Sequence, residues 1–538
     1  MKKSGQEKEE LNKKLDTHFS VLPKSQVLVV ITALVLGALI TMIDTIGISE
    51  ALPYIAADLN GEKTIQWAGT VFSISNSIFT VLSGRFADIF GRKTLLIICL
   101  LVTGIFQLAE GLAQTAPQFY IFRAISGLGC GGIIPLSMVI IADCVRPEER
   151  AAYQGILGSG IGIGACLGYF MFGGYIDSTS KGWRNGFYTL FPVCVMTASI
   201  VWWIVPNSRS KLSKKEILKN IDYIGSVVST AFLIFLLIPL NCGGILYAWN
   251  STIIIVFFVL AGVCFGGFII IETYWAKLPI IPFYIFKDLA VLNILLQCIF
   301  YGGAYFSMCF YFPFYFSIVR GFSSMGIAGM MQCILFPLGI SSGVSGTIIT
   351  KLGNYNYVIW TGYTSWLAGL LALLILKTDT KLDRIGAILG FCGVGMGFTF
   401  QPTQQALQSQ SKISDRAVVM ATRNAFRYVG NGIGIAISSL IFNSVIISGV
   451  NSSSILSSAQ KSYIKSHISS KYHLDAIFSD PLIVHEVKSI YMKAIKDLIY
   501  LWIPLVGICW LFSFLIKDKG LRSTDEVKSK VIDEKHDV

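Results

Sequence analysis

VLVVITALVLGALITMIDTIGIS, residues 27–49, is an apolar run interrupted by one ionisable side chain, Asp44. A membrane-spanning helix needs about 20 largely apolar residues, so this run is long enough to cross a bilayer. A carboxylate inside such a run is costly in hydrocarbon and marks a partner, a cavity or a function. Working outward, thirteen further segments of the same kind follow, at about 65–84, 94–113, 119–141, 153–173, 185–205, 223–242, 252–272, 290–315, 325–349, 356–376, 385–404, 423–447 and 498–516. The pattern predicts an all-α polytopic membrane protein with 14 transmembrane helices. The second segment is rich in Ser and Asn, and the ninth is long enough to bend at Gly302-Gly303 or Pro313.

Composition agrees. Of 538 residues, 54% are hydrophobic and 14% charged, against about 25% charged in soluble chains. The net charge of +12 does not point to nucleic acid. Many of its basic residues sit in tails and short inter-span loops, where membrane topology places them, and they form no contiguous patch. The 12 Cys residues lie mostly in apolar runs without metal-ligand spacing, so no metal or cofactor is expected. None of the five His residues falls in a span, which argues against a histidine proton relay. The polar N-terminal stretch carries both signs of charge and has no cleavage signature, so it reads as a tail that stays in the cytoplasm.

With the N-terminus inside, the early inner loops hold Arg85, Arg92, Lys93, Arg146, Arg150 and the Arg209–Lys219 cluster. The opposing loops hold only Lys63, Lys181 and Arg184. This asymmetry follows the positive-inside rule, and an even span count returns the C-terminus to the cytoplasm. Lys377, Lys381 and Arg384 break the pattern: either the rule is locally overridden or spans 11 and 12 are shifted by a few residues. The domain reading is a tail (1–26), a six-helix bundle (27–205), a linker with two additional helices (206–289), a second six-helix bundle (290–516) containing a polar outer loop (448–497), and a tail (517–538). Asn451-Ser452-Ser453 in that loop is an N-glycosylation pattern.

The loop between spans 2 and 3 reads Gly84-Arg85-Phe86-Ala87-Asp88-Ile89-Phe90-Gly91-Arg92-Lys93. It resembles the signature loop of the major facilitator superfamily. Ile43-Asp44-Thr45-Ile46 with Ala51-Leu52-Pro53 resembles the first-span motif of that family's fourteen-span drug:proton antiporter branch. Arg123-Ala124-Ile125-Ser126-Gly127-Leu128-Gly129 resembles its fourth-span arginine motif, and the glycines from Gly158 to Gly174 its fifth-span antiporter motif. The resemblance covers about residues 27–516 and extends to fungal multidrug-resistance exporters and vacuolar basic amino-acid transporters. Two departures stand out: Gly164-Ala165-Cys166-Leu167-Gly168-Tyr169 lacks the antiporter proline and second glycine, and Leu190 replaces the usual Asn before the span 6 proline. The resemblance implies two six-helix bundles plus two additional helices, a proton-coupled mechanism and a latching role for the signature loop.

Several residues carry the functional expectations. Arg123, several residues inside span 4, reads as a structural ion pair, as a coupling arginine that senses a carboxylate, or as a side chain snorkelling to an interface. Asp44 is the candidate proton carrier. Glu50, Glu110 and Glu272 read as interfacial residues ahead of relay carboxylates, and Glu50 is the one to test after Asp44. Gly84, Arg85, Asp88, Gly91, Arg92 and Lys93 form the candidate gating loop. Gly160, Gly164 and Gly168 share one helix face, where a backbone can approach closely, either for packing or for sliding. Candidate substrate contacts are Gln107, Gln332, Trp360, Gln401, Gln404 and Arg427.

No Gly-rich nucleotide loop is present, so an ATP-driven pump is disfavoured. The expected function is proton-coupled secondary transport by alternating access, exporting drugs or toxic organic compounds. Proton-driven vacuolar uptake of basic amino acids and siderophore-iron transport are the alternatives. The partners are a small-molecule substrate, protons and the lipid bilayer, with a monomer as the working unit. The plasma membrane is the expected location and the vacuolar membrane the alternative.

Overall fold

The computed structural model describes residues 23–61, 64–146, 149–179, 181–205, 223–243, 247–275, 281, 283–411, 416–466, 468, 478 and 480–518. The tails, the 206–222 linker and the side chains of Glu50, Arg85 and Asp88 lie outside the described residues. Each apolar segment read from the sequence is covered by a helix. They are α1 (Lys24–Asp58), α2 (Gln66–Phe90), α3 (Arg92–Leu112), α4 (Ala116–Cys144), α5 (Arg150–Ser178), α6 (Trp183–Ile204) and α7 (Tyr223–Cys242). Then follow α8 (Thr252–Ile270), α9 (Leu289–Phe314), α10 (Ser324–Leu352), α11 (Asn356–Leu373), α12 (Leu382–Gln410), α13 (Arg416–Ser452) and α14 (Pro481–Ser513).

Twelve of these helices are long and apolar enough to cross a membrane, which makes the chain a multi-pass membrane protein. The expected fourteen is therefore reduced to twelve on hydropathy alone. α2 falls short because Ser73, Ser75, Asn76, Ser77 and Thr80 dilute it, and α11 is the shortest of the set at 18 residues. α9 stays helical through Gly302-Gly303 and gives way to a π-helical turn, Tyr315–Val319, just after Pro313. A proline lacks the amide that continues the ladder, which accounts for the break at this point. Gly302 and Gly303 instead admit close packing, against the backbones of Arg427 and Gly430.

The polar stretch 448–497 is not one loop. α13 runs to Ser452, a short helix covers Ser458–Ser466, and α14 begins at Pro481, capped by the Asp480 carboxylate on the Leu482 amide. Lys488, Lys493 and Lys496 hid this early start. Val484, Val487, Tyr491 and Ala494 are buried at helical spacing and carry the packing. Lys377 and Lys381 stay in the connection between α11 and α12, so a shifted span does not explain them.

The packing is duplicated. In the first half α1 packs on α5 and α6, α4 on α2 and α3, and α3 on α6. In the second half α9 packs on α13 and α14, α12 on α10 and α11, and α11 on α14. The glycines repeat with the packing. Gly127 and Gly131 lie against Phe72 and Asn76 of α2 while Gly129 lies against Cys99 of α3; Gly393 and Gly397 lie against α10 while Gly395 lies against Trp366 of α11. The halves meet along α5–α10 and α2–α13. α7 and α8 pair with each other, and α7 rests on α2 and α13. Only 17% of the α8 window is buried, as befits an outermost helix presenting Ile, Val and Phe to lipid.

Gly91 joins α2 to α3 with no intervening loop. Its φ of 85° is in the left-handed region that a side chain disfavours, so glycine is required at this corner of the signature loop.

Candidate functional site

Toward the C-terminal ends of α1 and α3 the first bundle holds a cluster of charge. Arg123 of α4 sends Nη1 to Asp44 Oδ1 of α1 at 2.7 Å and to Glu110 Oε2 of α3 at 3.4 Å. Ser126, one turn along α4, donates to the other Glu110 oxygen, and Cys130 Sγ lies 4.0 Å from Asp44 Oδ2. The guanidinium also sits 4.0 Å over the Phe72 ring. All three charged groups are fully buried. A charge held there without a partner would cost several kcal/mol, which is why the three converge. Of the three sequence readings of Arg123, snorkelling to an interface is excluded by this burial. Glu110, read as interfacial, is instead a full member of the cluster.

Gln107, one turn before Glu110, is also buried, and its Oε1 accepts from Cys194 Sγ at 3.5 Å. It packs inside this half, between α3 and α6.

At the opposite membrane face Arg92 pairs with Asp143, tying the start of α3 to the end of α4. Lys93 lies 5.9 Å over the Trp202 ring. These contacts place Arg92 and Lys93 of the signature loop as inter-helix links.

α5 carries two glycine faces. A Cβ at Gly160 would sit 2.7 Å from Val35, and one at Gly164 or Gly168 would sit 2.8 Å from the Leu39 or Ile43 carbonyl of α1. The Gly160/Gly164/Gly168 face is therefore closed packing inside one half. The seam between halves falls on the other ridge, where Gly155, Gly158 and Gly162 meet Ser342, Gly343, Gly346 and Gly339 of α10.

Beside that seam lies a second polar region, built mostly by the other half. Arg423 of α13 donates to the Phe400 carbonyl (2.8 Å), Thr403 Oγ1 (3.2 Å) and Gln404 Oε1 (3.4 Å) of α12. Arg427, one turn further, lies 4.9 Å over Phe400 and 5.4 Å over Tyr428. Both are buried, and among the described residues neither has a carboxylate partner. Neither Nε has a partner, and the buried amide of Gln401 satisfies neither its nitrogen nor its oxygen. Gln332 also reaches the seam, donating to the Cys166 carbonyl of α5 at 3.4 Å. Trp360 does not: its indole donates to the Ser513 carbonyl of α14, away from the seam. Asn451 is exposed on the last turn of α13.

The sequence names Arg427 as a candidate substrate contact, and the structure sets Arg423 beside it, one turn earlier on α13 and likewise buried. Their isolation from acid is a property of three dimensions, since α12 supplies amides and carbonyls where α1 and α3 supply carboxylates to Arg123.

Comparison with known proteins agrees with this architecture. Residues 34–435 match the family model described as Major Facilitator Superfamily. Citrate exporter 1 of Yarrowia lipolytica is 35% identical over 96% of this chain and 76% of its own length. An MFS-type transporter of Cochliobolus lunatus, clz4, is 32% identical over 79% of this chain and 76% of its own. The multidrug transporter MdtP of Bacillus subtilis is 27% identical over 77% and 75%. Among solved structures, a proton:xylose symporter superposes with a TM-score of 0.61 at 13% identity, covering 94% of this chain and 99% of that one, a likeness of fold. These relatives are transporters and not enzymes. With the family model spanning most of its helices, the chain belongs to the major facilitator superfamily and is a secondary transporter.

Proposed function

We propose that this chain exports small organic acids in a proton-coupled cycle, crossing the membrane fourteen times with both termini in the cytoplasm. The observation that carries the reading is the pair Arg423 and Arg427, buried beside the seam with no carboxylate partner among the described residues. Two desolvated guanidiniums favour an anionic occupant, since an ionised acceptor forms about twice as strong a hydrogen bond as a neutral one. The similarity to a citrate exporter supports the same chemistry. Basic amino acids are disfavoured, because their side-chain cation would meet two like charges.

The coupling side is the Asp44–Arg123–Glu110 cluster. One cation faces two carboxylates, so the cluster has room for one proton. Protonation weakens the hold of Arg123 on one carboxylate and frees α4 to shift against α1 and α3. The anion site and the proton site lie in opposite halves, and the seam between them transmits the exchange.

Drug export is the second reading. Tyr301, Tyr305, Phe306, Phe400 and Tyr428 form ring contacts in the second half, and such a surface suits apolar cations. Proteoliposomes with an imposed pH gradient separate the two. Gradient-dependent flux of radiolabelled citrate or succinate, competed by other di- and tricarboxylates, is the expected result. Flux of dye cations with none of either acid would overturn the organic-acid reading.

A further inference from the structure

Gln154 of α5 is fully buried and is a first-half side chain set among second-half amides. Its Nε2 donates to Gln408 Oε1 at 3.2 Å and to the Met138 carbonyl of its own half at 3.3 Å. Its Oε1 accepts from Gln405 and, at 3.5 Å, from Gln404. Gln404 in turn accepts from Arg423 Nη1. A continuous line of hydrogen bonds thus runs from an uncompensated guanidinium, through one amide, to the contact between halves. It lies on the membrane face that carries Gly91, Arg92 and Asp143, next to the glycine seam of α5 and α10.

We propose that Gln154 is the positioning residue of the gate on that face, and that Gln404 reports the state of the Arg423 site to it. The link rests on the reading of Arg423 as an anion-binding group; the latch does not. Arg423 holds the Gln404 carbonyl oxygen, and the three α12 amides converge on Gln154. A carboxylate at Arg423 is a stronger acceptor than an amide oxygen and takes Nη1 from Gln404. Gln404 then loses the donor to its carbonyl oxygen and is held only through its amide nitrogen, which donates to Met138 Sδ at 2.7 Å and to Gln154 Oε1 at 3.5 Å. The convergence on Gln154 loosens, and the neighbouring glycine faces can slide without side chains to obstruct them. Gln154 does not touch the substrate; it sets which face is closed.

Hydrogen–deuterium exchange on the full-length protein in nanodiscs tests this, read on segments 150–162 and 335–350. In Gln154→Leu, which nearly keeps size and removes all four side-chain hydrogen bonds, substrate-free exchange there rises by at least about tenfold, the shift expected if even one or two of them stabilise the contact. Gln405→Leu, made in case Gln154→Leu fails to fold, raises it by a smaller factor. Citrate raises exchange in the native protein, and Gln404→Leu blunts that response. Substrate-free exchange unchanged in both Gln154→Leu and Gln405→Leu overturns the latch. Raised exchange in those variants with no citrate response in the native protein keeps the latch and sinks the anion reading of Arg423.

Discussion

Glu110 Oε2 stands 3.4 Å from Arg123 Nη1, the same nitrogen that meets Asp44 at 2.7 Å. A single guanidinium therefore serves two carboxylates from two different helices, with no water-exposed surface on any of them. This arrangement differs from an isolated ion pair in one respect that matters for transport. Removing one negative charge leaves a balanced pair, whereas removing the positive charge leaves two buried anions.

Asp44→Asn is thus expected to fold and insert, because Arg123 keeps Glu110 as its counter-charge. Gradient-driven flux should fall at least about tenfold, since the cluster has lost its surplus carboxylate. Normal proton-driven uptake by the Asn variant in proteoliposomes would remove Asp44 from the coupling path.

Glu110→Gln tests the partner that sequence reading misplaced. The Arg123–Asp44 contact remains, so substrate exchange without a gradient should persist while acceleration by a pH gradient is lost. Counterflow and gradient-driven flux measured on one preparation separate the two. Equal loss of both would make Glu110 a structural group only.

Arg123→Ala strands two carboxylates in a dry site, a loss on the order of 3–5 kcal/mol for a broken buried pair. A marked drop in Tm is expected, and substrate addition should no longer release protons. Adding Glu110→Gln should restore part of the Tm, because one of the stranded charges is gone. A double variant no more stable than the single one would contradict the shared-guanidinium account.

Much of this was legible in the chain. Asp44 and Arg123 stand out because a charge inside an apolar run has few uses. Glu110 lies two residues from the end of α3, where an interfacial glutamate is ordinary, and only the rotation of α3 toward α4 turns it inward. The same limit applies to α5. Spacing by four gives both the Gly160/Gly164/Gly168 and the Gly158/Gly162 faces, but sequence cannot say that α1 takes the first and α10 the second. The early start of α14 was within reach: Val484, Val487, Tyr491 and Ala494 repeat at helical spacing beneath a cover of lysines.

Acid sensitivity at the C-terminal end of α1 follows from Asp58. Burial pushes its pKa up, but the hydrogen bond and charge of Arg184, with Lys181 beyond, outweigh this and hold it below the ordinary carboxylate value. A depressed folded pKa contributes stability above the unfolded value of about 3.9, and that stability is lost as pH falls through the folded value. Tm of the native protein should therefore drop below about pH 4, while Asp58→Asn starts lower at neutral pH and lacks this step. An identical acid profile in both would show that the Asp58–Arg184 contact has no part in it.

The two glycine faces of α5 should fail in different ways. A side chain at Gly164 meets the Leu39 backbone of the same half, so Gly164→Val should lower Tm and folded yield. A side chain at Gly162 collides with the Gly339 backbone of the other half, a contact that alternating access must break. Gly162→Val should then leave each half folded but prop the seam apart, which lowers transport more than it lowers Tm. Small-residue variants grade the effect, with Gly162→Ala falling between native and Val. Thermal unfolding and flux measured on both sites decide it. If Gly162→Val loses Tm as far as Gly164→Val does, the two faces are equivalent packing surfaces and the seam assigned to α5 and α10 is not the one that moves.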